Sequence, residues 1–348
     1  MILKRSFGRT ASGIETFLYE IKNTSGASVS VTDYGARIVS INVPDRDGKV
    51  RDVLLGCDKV SDYEEDDAFL GASVGRVANR TSGSEFTLNG QKYHLNSNSP
   101  GGHTLHGGLR GFDKAVWELD TCTEDSLSFT LSSPNMEEGY PGKLDVKCTF
   151  TWTDNKELRV SYEAVTDRDT PINLTGHGYF NLAGHDSDIS ASEQILTINA
   201  DFITPTDENL IPTGEIRPVA GTAFDFRKAK RIGRDIDSDD IQLRFGKGFD
   251  HNWVLNKTEH GEYKLAARLF SPDSGITMEM YTDQPGLQFY AGNALHGQCG
   301  KGGVHYGARQ GAAFEAQNFP NAANMAHFPS PILRPGEKYC HRTAYKFY

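Results

Sequence analysis

The segment "KLDVKCTFTWTDNKELRVSYEAV" (residues 143–165) decides the fold class. Apolar side chains occupy every second position on either side of a polar turn at Asp154-Asn155: Leu144, Val146, Cys148, Phe150 and Trp152 before it, then Leu158, Val160, Tyr162 and Ala164. A period of two places all of these side chains on one face of an extended chain. The segment therefore predicts an antiparallel hairpin with one buried face.

The same alternation recurs along the chain. "EFTLNGQKYHL" (85–95) predicts a second hairpin, because Asn-Gly suits the positive φ angles of a type I′ turn. "YKLAARLFSPDSGITMEMYTD" (263–283) predicts a third, which turns at Pro272–Gly275. Residues 28–43 and 193–205 predict further strands.

Helical signals are few and short. "SDYEEDDAFLGASVGR" (61–76) and "GRDIDSDDIQLRF" (233–245) predict one or two turns each. No linker rich in Pro, Gly or Ser divides the chain. We therefore predict an all-β fold, a large antiparallel β-sandwich of two extended sheets with few short helices, formed by residues 1–348 as a single domain.

The composition of the chain limits the classes of function that it can have. The 348 residues carry a formal net charge of −10, which argues against a nucleic-acid partner because phosphate binding needs clustered Lys and Arg. No apolar run approaches the ~18 residues of a membrane span. The five cysteines are widely spaced, which predicts idle thiols rather than a zinc site. The first residues lack the apolar core of a signal peptide, so the sequence predicts a cytoplasmic protein; a cleaved export signal would leave no trace in it.

One histidine has unusual neighbours. "PINLTGHGYFNLAGH" (171–185) places His177 between Gly176 and Gly178. A lone histidine more commonly has a hydrogen-bonded structural role. Two flanking glycines remove side-chain bulk and favour a histidine that meets a ligand, and imidazole, with a pKa of ~6.5, suits proton transfer.

A glycine-rich segment, residues 75–117, contains Asn79, Arg80, His103 and His106. A surface loop with solvated charges is the common alternative for such a segment. His103 and His106, joined by His177, raise the question of a metal site. The pattern is weak, because strand alternation would point His103 and His106 to opposite faces. We predict no metal.

Three other segments carry polar groups among apolar ones. Glu315 lies in "GAAFEAQNFPNAAN", where apolar neighbours would raise its pKa toward that of a base; an edge-strand glutamate facing water is the alternative. Asp250 precedes His251, and Gln288 lies two residues before Tyr290. Carboxylate, amide, imidazole and guanidinium groups beside aromatic rings are what a sugar needs.

Six motifs, in order, resemble those of one family, the aldose 1-epimerases or galactose mutarotases. They are GRVANR (75–80), LHGGLRGFDKAVW (105–117), INLTGHGYFNLAG (172–184), GFDHNW (248–253), QPGLQFYAGN (284–293) and FEAQNFPNAAN (314–324). The resemblance implies a large antiparallel β-sandwich. It also implies that His177 is the general acid and Glu315 the general base. Sugar binding would fall to Asn79, Arg80, His106, Gly178, Tyr179, Asp250 and Gln288.

The implied reaction interconverts α and β anomers of free aldohexoses such as galactose and glucose. It needs no cofactor, and the only implied partner is the free sugar, with the chain as monomer or homodimer. It requires that burial raise the pKa of Glu315 while neighbours keep His177 protonated. The family often has Asn before the histidine and Ser or Thr after it, and the glycines here bear on substrate preference more than on chemistry.

Two other functions compete with this one. Epimerisation of a hexose 6-phosphate would need an additional cationic cluster for the phosphate, which the acidic composition disfavours. A non-catalytic carbohydrate-binding module would keep the aromatic side chains and Arg80 but would not need both His177 and Glu315. The presence of both favours an enzyme.

Overall fold

Strands far outnumber helices in residues 2–348, the part of the chain that this computed structural model describes. A five-stranded sheet contains, in spatial order, β1 (Ile2–Arg9), β2 (Glu15–Lys22), β3 (Ser28–Thr32), β4 (Arg37–Pro44) and β5 (Val50–Asp52). A nine-stranded sheet contains β11 (Glu118–Cys122), β12 (Ser126–Ser133), β13 (Leu144–Trp152), β14 (Glu157–Thr166), β30 (Tyr339–Phe347), β24 (Thr277–Thr282), β23 (Lys264–Phe270), β18 (Ile195–Ile198) and β21 (Lys230–Arg231). A six-stranded sheet contains β17 (Tyr179–Phe180), β28 (Ala312–Gln317), β25 (Gly286–Tyr290), β22 (Asp250–Leu255), β19 (Ala200–Thr204) and β20 (Arg217–Pro218).

The remaining strands form short pairs. These are β6 (Ser73–Val74) with β16 (Thr175–Gly176), β7 (Arg80–Thr81) with β10 (Thr104–Leu105), β8 (Glu85–Leu88) with β9 (Gln91–His94), β15 (Thr170–Pro171) with β29 (Ile332–Leu333), and β26 (Gln298–Cys299) with β27 (His305–Tyr306). All pairings between these strands are antiparallel, as the alternating segments predict.

Helices are short, as expected from the sequence. Residues 2–348 contain α1 (Val60–Glu65) and α2 (Ile241–Gly246). Single 3₁₀ turns lie at Ser82–Ser84, Phe112–Lys114, Glu137–Gly139, Ala191–Glu193, Ile232–Arg234, Lys301–Gly303 and Ala322–Asn324. Neither α-helix of the described residues has the length and hydropathy needed to cross a membrane.

The predicted hairpins are confirmed. β13 and β14 pair in unbroken register from Leu144 with Thr166 to Trp152 with Leu158. Asn89 and Gly90 have φ angles of 52° and 76°, as a type I′ turn requires. The prediction of two extended sheets is incomplete. The first five strands pair among themselves through consecutive hairpins and form a third large sheet.

The core unites the three large sheets. One cluster of buried apolar side chains includes Val29 of the five-stranded sheet, Phe150 of the nine-stranded sheet and Phe289 of the six-stranded sheet. Around Phe289 the rings of Trp253 and Phe314 lie with centroids 5.7 and 5.2 Å away. This aromatic packing holds one face of the six-stranded sheet against the core, so alternate side chains project from the opposite face.

Buried neutral histidines predict acid lability. Burial lowers the pKa of His251 to about 3 and that of His341 to about 4, whereas in the unfolded chain a histidine binds its proton at about pH 6.5. Between these values the unfolded state binds more protons, so the stabilisation is complete above pH ~6.5 and is lost as the pH falls toward 4. We expect the free energy of unfolding to fall by about 1.4 kcal/mol per pH unit for each such histidine.

Urea unfolding between pH 7 and pH 5 measures this slope. His341→Gln should reduce this slope by about 1.4 kcal/mol per pH unit, the contribution of one proton, because that variant has one titrating group fewer. Comparing slopes removes any loss of stability that is independent of pH. An unchanged slope in the variant would contradict the assignment of His341 as a buried neutral group.

Candidate active site

Strand alternation brings three of the predicted residues to one face of the six-stranded sheet. Gln288 on β25 pairs with Glu315 on β28, and Tyr290 on β25 pairs with Asp250 on β22. The residues between them along the strands, such as Phe289, point into the core. The side chains of Glu315, Gln288 and Asp250 therefore share the face away from the core.

His177 reaches this face from a separate connection. It lies between β16 and β17, where its N–H donates to Ala72 O at 2.8 Å and its carbonyl accepts from Gly71 N at 3.0 Å. Its Nε2 lies 3.5 Å from Glu315 Oε1, and the two residues are 4% and 2% exposed. An imidazole and a carboxylate far apart in the chain thus meet in a space from which water is largely excluded.

The flanking glycines do not provide clearance for a ligand, contrary to the sequence interpretation. A Cβ on Gly178 would meet the side chains of Leu54 and Phe180 at 3.1 and 3.3 Å, and one on Gly176 would lie 3.6 Å from the Tyr162 hydroxyl. Leu54, Phe180 and Tyr162 all belong to the buried apolar core, so the space at both glycines lies toward the core.

Burial shifts the two pKa values in opposite directions. It raises the pKa of Glu315 well above its usual value, assisted by the negative charge of Asp250 and opposed by Arg80. It lowers the pKa of His177 to about 4, against a smaller opposing effect of a backbone hydrogen bond. The raised carboxyl pKa agrees with the sequence prediction. The expectation that neighbours keep His177 protonated is wrong, because desolvation disfavours the imidazolium ion more strongly than its surroundings stabilise it.

His106 lies beside His177, with ring centroids 5.1 Å apart. Its Nδ1 accepts a hydrogen bond from Asn79 N at 3.1 Å, so in the neutral ring the proton is on Nε2. Burial, together with the charges of His177 and Arg80, lowers its pKa well below the usual value. His106 is therefore a neutral ring whose Nε2–H can donate.

Phe69 belongs to the same group, although the sequence interpretation did not identify it. Its ring centroid is 4.7 Å from that of His106 and 6.0 Å from that of His177. Its φ angle is 58°, and Asn79 and His106 have φ angles of 62° and 52°. Such angles are uncommon for residues other than glycine and often occur at functional sites. Left-handed residues leave no periodic signal in a sequence, so only the structure shows this group.

Polar groups surround the pair. Gln288 Nε2 donates to Asp250 Oδ1 at 2.7 Å. Burial raises the pKa of Asp250, and the charge of Arg80 and the hydrogen bond from Gln288 oppose this effect. The ring of Tyr179 is 5.0 Å from that of His177. Arg80 acts electrostatically on both carboxyl groups, which places a cation beside two acids.

Several buried polar atoms at this face have no hydrogen-bond partner among residues 2–348. They include His177 Nδ1, Glu315 Oε2 and Gln288 Oε1. Buried donors and acceptors are nearly always paired, and an unpaired one is costly. A ligand with several hydroxyl groups would supply the missing partners.

A metal fits this cluster poorly. His106, His177 and Glu315 offer ligand atoms within 4.8 Å of one another, which is the set that three protein ligands of a catalytic zinc would need. However, binding through His106 Nε2 would require that atom to lose its proton and Nδ1 to gain one. The hydrogen bond that Nδ1 accepts from Asn79 would then be lost. His103, considered as a ligand from the sequence, instead accepts from Gly83 N at 2.9 Å and is not in the cluster.

Comparison with known proteins agrees with this fold. The family described as Aldose 1-epimerase is matched over residues 18–346. Galactose mutarotase from Sus scrofa is 43% identical over 347 residues, which cover 99% of this chain and 98% of that protein. Aldose 1-epimerase from Escherichia coli (strain K12) is 40% identical over 332 residues, which cover 95% of this chain and 94% of that protein.

Solved structures show the same similarity. An aldose epimerase homologue from C. elegans has a TM-score of 0.87 at 33% identity, covering 94% of this chain and 98% of that one. Galactose 1-epimerase from Lactobacillus acidophilus NCFM has a TM-score of 0.85 at 30% identity, covering 100% of this chain and 98% of that one. Since these similarities extend over nearly its whole length, the chain belongs to the aldose 1-epimerase family.

Proposed function

We propose that this protein interconverts the α and β anomers of free aldohexoses, galactose or glucose, by acid–base catalysed ring opening and closure. The contact between His177 and Glu315 carries the proposal, because it places two buried proton-transfer groups 3.5 Å apart among unpaired polar atoms. The names of the relatives, galactose mutarotase and aldose 1-epimerase, support the same reaction.

The reaction needs one base and one acid. Glu315 removes the proton from the C1 hydroxyl while His177 delivers a proton to the ring oxygen. The C1–O5 bond breaks and an open-chain aldehyde forms. Rotation about C1–C2 presents the other face of the carbonyl, and ring closure reverses both proton transfers. Each group thus ends the cycle in the protonation state in which it began.

The pKa shifts make the neutral pair the resting state, so ring opening starts from the less populated ion pair, in which Glu315 has passed its proton to His177. A carboxylate with a raised pKa is a stronger base, and an imidazolium with a lowered pKa is a stronger acid. Glu315 and His177 share one proton throughout. Before ring opening the proton is on His177 and the two groups form an ion pair. After ring opening it is on Glu315 and both groups are neutral. Burial favours the neutral pair, and the 3.5 Å contact lets the proton move between the two groups without exchange with solvent.

The surrounding residues would hold the sugar. We assign hydroxyl contacts to Arg80 and Asp250, whose charges lie beside the pair, and to His106, which can donate through Nε2. The amides of Gln288 and Asn79, the ring of Tyr179 and the backbone at Gly178 complete this group. Fixing C1 and O5 against the pair replaces the random encounters of the uncatalysed reaction and adds to the rate.

This function needs no partner other than the sugar. Every group that it uses lies on one chain, so a monomer and a homodimer would both be competent.

We place the protein in the cytoplasm, where thiols stay reduced, and Cys122 and Cys340 are exposed free thiols. We treat residues 1–348 as one domain because a single apolar cluster includes residues from Tyr19 to Phe347.

The competing functions fit the site less well. A hexose 6-phosphate would need cations for the phosphate, yet the charge of Arg80 already acts on two acids, Asp250 and Glu315. A binding module would gain nothing from burying an imidazole against a carboxylate, because each group is costly to remove from water.

Polarimetry tests the base. We expect the protein to accelerate the relaxation of freshly dissolved α-galactose and α-glucose, and the faster of the two identifies the preferred sugar. Glu315→Gln should lower kcat by about 10²–10⁴-fold, because the amide cannot accept the C1 hydroxyl proton. Glu118→Gln, at an exposed strand position, is the matched control. Full activity of Glu315→Gln would refute the base assignment.

The acid is tested in the same way. His177→Asn should lower kcat by about 10²–10⁴-fold with KM nearly unchanged, because the amide occupies the site but does not transfer a proton at this pH. His94→Asn, at an exposed histidine, is the control. A rise in KM alone would make His177 a binding residue instead.

Chelation tests the absence of a metal from the mechanism. We expect the polarimetric rate to survive dialysis against EDTA, because the tautomer of His106 opposes coordination. A loss of activity that added Zn²⁺ restores would show that the His106, His177 and Glu315 cluster binds a functional metal.

A further inference from the structure

Two polar residues that shortly precede His177 hydrogen-bond to the chain just after Glu315. Asn173 Oδ1 accepts from Asn318 N at 2.8 Å, and Asn173 Nδ2 donates to Asn318 O at 3.3 Å. Thr175 Oγ1 donates to Ala316 O at 2.7 Å. Both residues are essentially buried, at 2% and 0% exposure. Neither is used by the proposed reaction.

The hydrogen bonds of Asn173 and Thr175 form a short ladder beside the contact of His177 and Glu315. From Asn173 to Thr175 the chain advances two residues, while the partner residue retreats two, from Asn318 to Ala316. Two residues further on, His177 meets the side chain of Glu315, the residue next to Ala316. All three side chains therefore contact the chain between Glu315 and Asn318.

Backbone hydrogen bonds of this segment are already used elsewhere. Asn173 N donates to Arg76 O at 3.1 Å, and Asn173 O accepts from Ala78 N at 2.7 Å. Leu174 N donates to the hydroxyl of Tyr339 at 3.1 Å and so is not available to β28. Side chains therefore make the connection between this segment and β28.

We propose that Thr175 and Asn173 are positioning residues that set the distance between His177 and Glu315. The inference rests on the proposed function and extends it to residues that touch neither sugar nor proton. Any sliding of one segment along the other would break these hydrogen bonds together. A displacement of ~1 Å in a catalytic group can cost about 10²-fold in rate, so the ladder matters to chemistry and not only to folding.

Thr175→Val tests the ladder, because valine has nearly the shape of threonine and lacks the hydroxyl. We expect a loss of about 10–100-fold in kcat, a KM within about twofold of wild type and an altered pH profile, since the geometry of the pair changes. Thr175→Ser restores the donor and should restore most of kcat. If Thr175→Val keeps the wild-type kcat and pH profile, the proposal is overturned, whatever happens to Tm.

Thr16→Val is the matched control. Thr16 is also fully buried, and its hydroxyl donates to a backbone carbonyl, Gly8 O, at 2.9 Å in the five-stranded sheet. We expect this variant to lose stability and keep kcat. If Thr16→Val lowers kcat as much as Thr175→Val does, the effect is general destabilisation and the proposal fails.

Two further measurements keep the test decisive. If Thr175→Val does not fold, Thr175→Cys offers similar volume with a weak donor, and an equal kcat in the Cys and Ser variants would overturn the proposal. The titration of the His177 ring, followed by ¹H–¹⁵N spectra, should change in Thr175→Val and not in Thr175→Ser. This readout needs no turnover. An inactive wild type would thus refute the proposed function alone, whereas an unchanged titration would refute the ladder alone.

Discussion

Along β22, β25 and β28, side chains alternate between an aromatic core and the face that carries Glu315, Gln288 and Asp250. Trp253, Phe289 and Phe314 pack together on the core side. Because a strand cannot rotate one residue without rotating its neighbours, this packing also sets the direction of Gln288 and Glu315. The packing of the aromatic side chains on one face thus orients the polar side chains on the opposite face. The rest of the site depends on this coupling.

The burial of His177 and Glu315 has an electrostatic cost, which the arrangement of the neighbouring polar groups limits. An imidazole and a carboxyl group removed from water each favour the neutral form. In the proposed reaction, they exchange one proton within a pair whose total charge stays zero. Arg80 moderates the charge of Asp250 and Glu315, and Gln288 satisfies one oxygen of Asp250. The reactivity that we propose comes from desolvation, which the packing of the sheets supplies.

The hairpins and turns of the fold were predictable from the sequence, whereas the burial of individual side chains was not. Alternation gave the hairpin of β13 and β14, and Asn89-Gly90 gave a turn with the expected φ angles. The residues of the cleft were predictable only through resemblance, since no periodicity brings residue 177 to residue 315. The glycines beside His177 were misread because the space at each of them lies against buried core residues. The protonation of His177 was misjudged because burial depends on all the sheets together, and Phe69 was missed because a left-handed angle has no sequence period.

Two of the triplets in the chain that match the acceptor signal for N-linked glycosylation are Asn79-Arg80-Thr81 and Asn173-Leu174-Thr175. Each asparagine is almost fully enclosed, at 4% and 2% exposure, and the amide of Asn173 is engaged at both of its ends. An oligosaccharide on either nitrogen has no room in the folded chain. Glycosylating enzymes that met the chain during secretion would therefore modify these asparagines before folding. The attached glycans would then prevent the segments around Asn79 and Asn173 from packing into the folded chain.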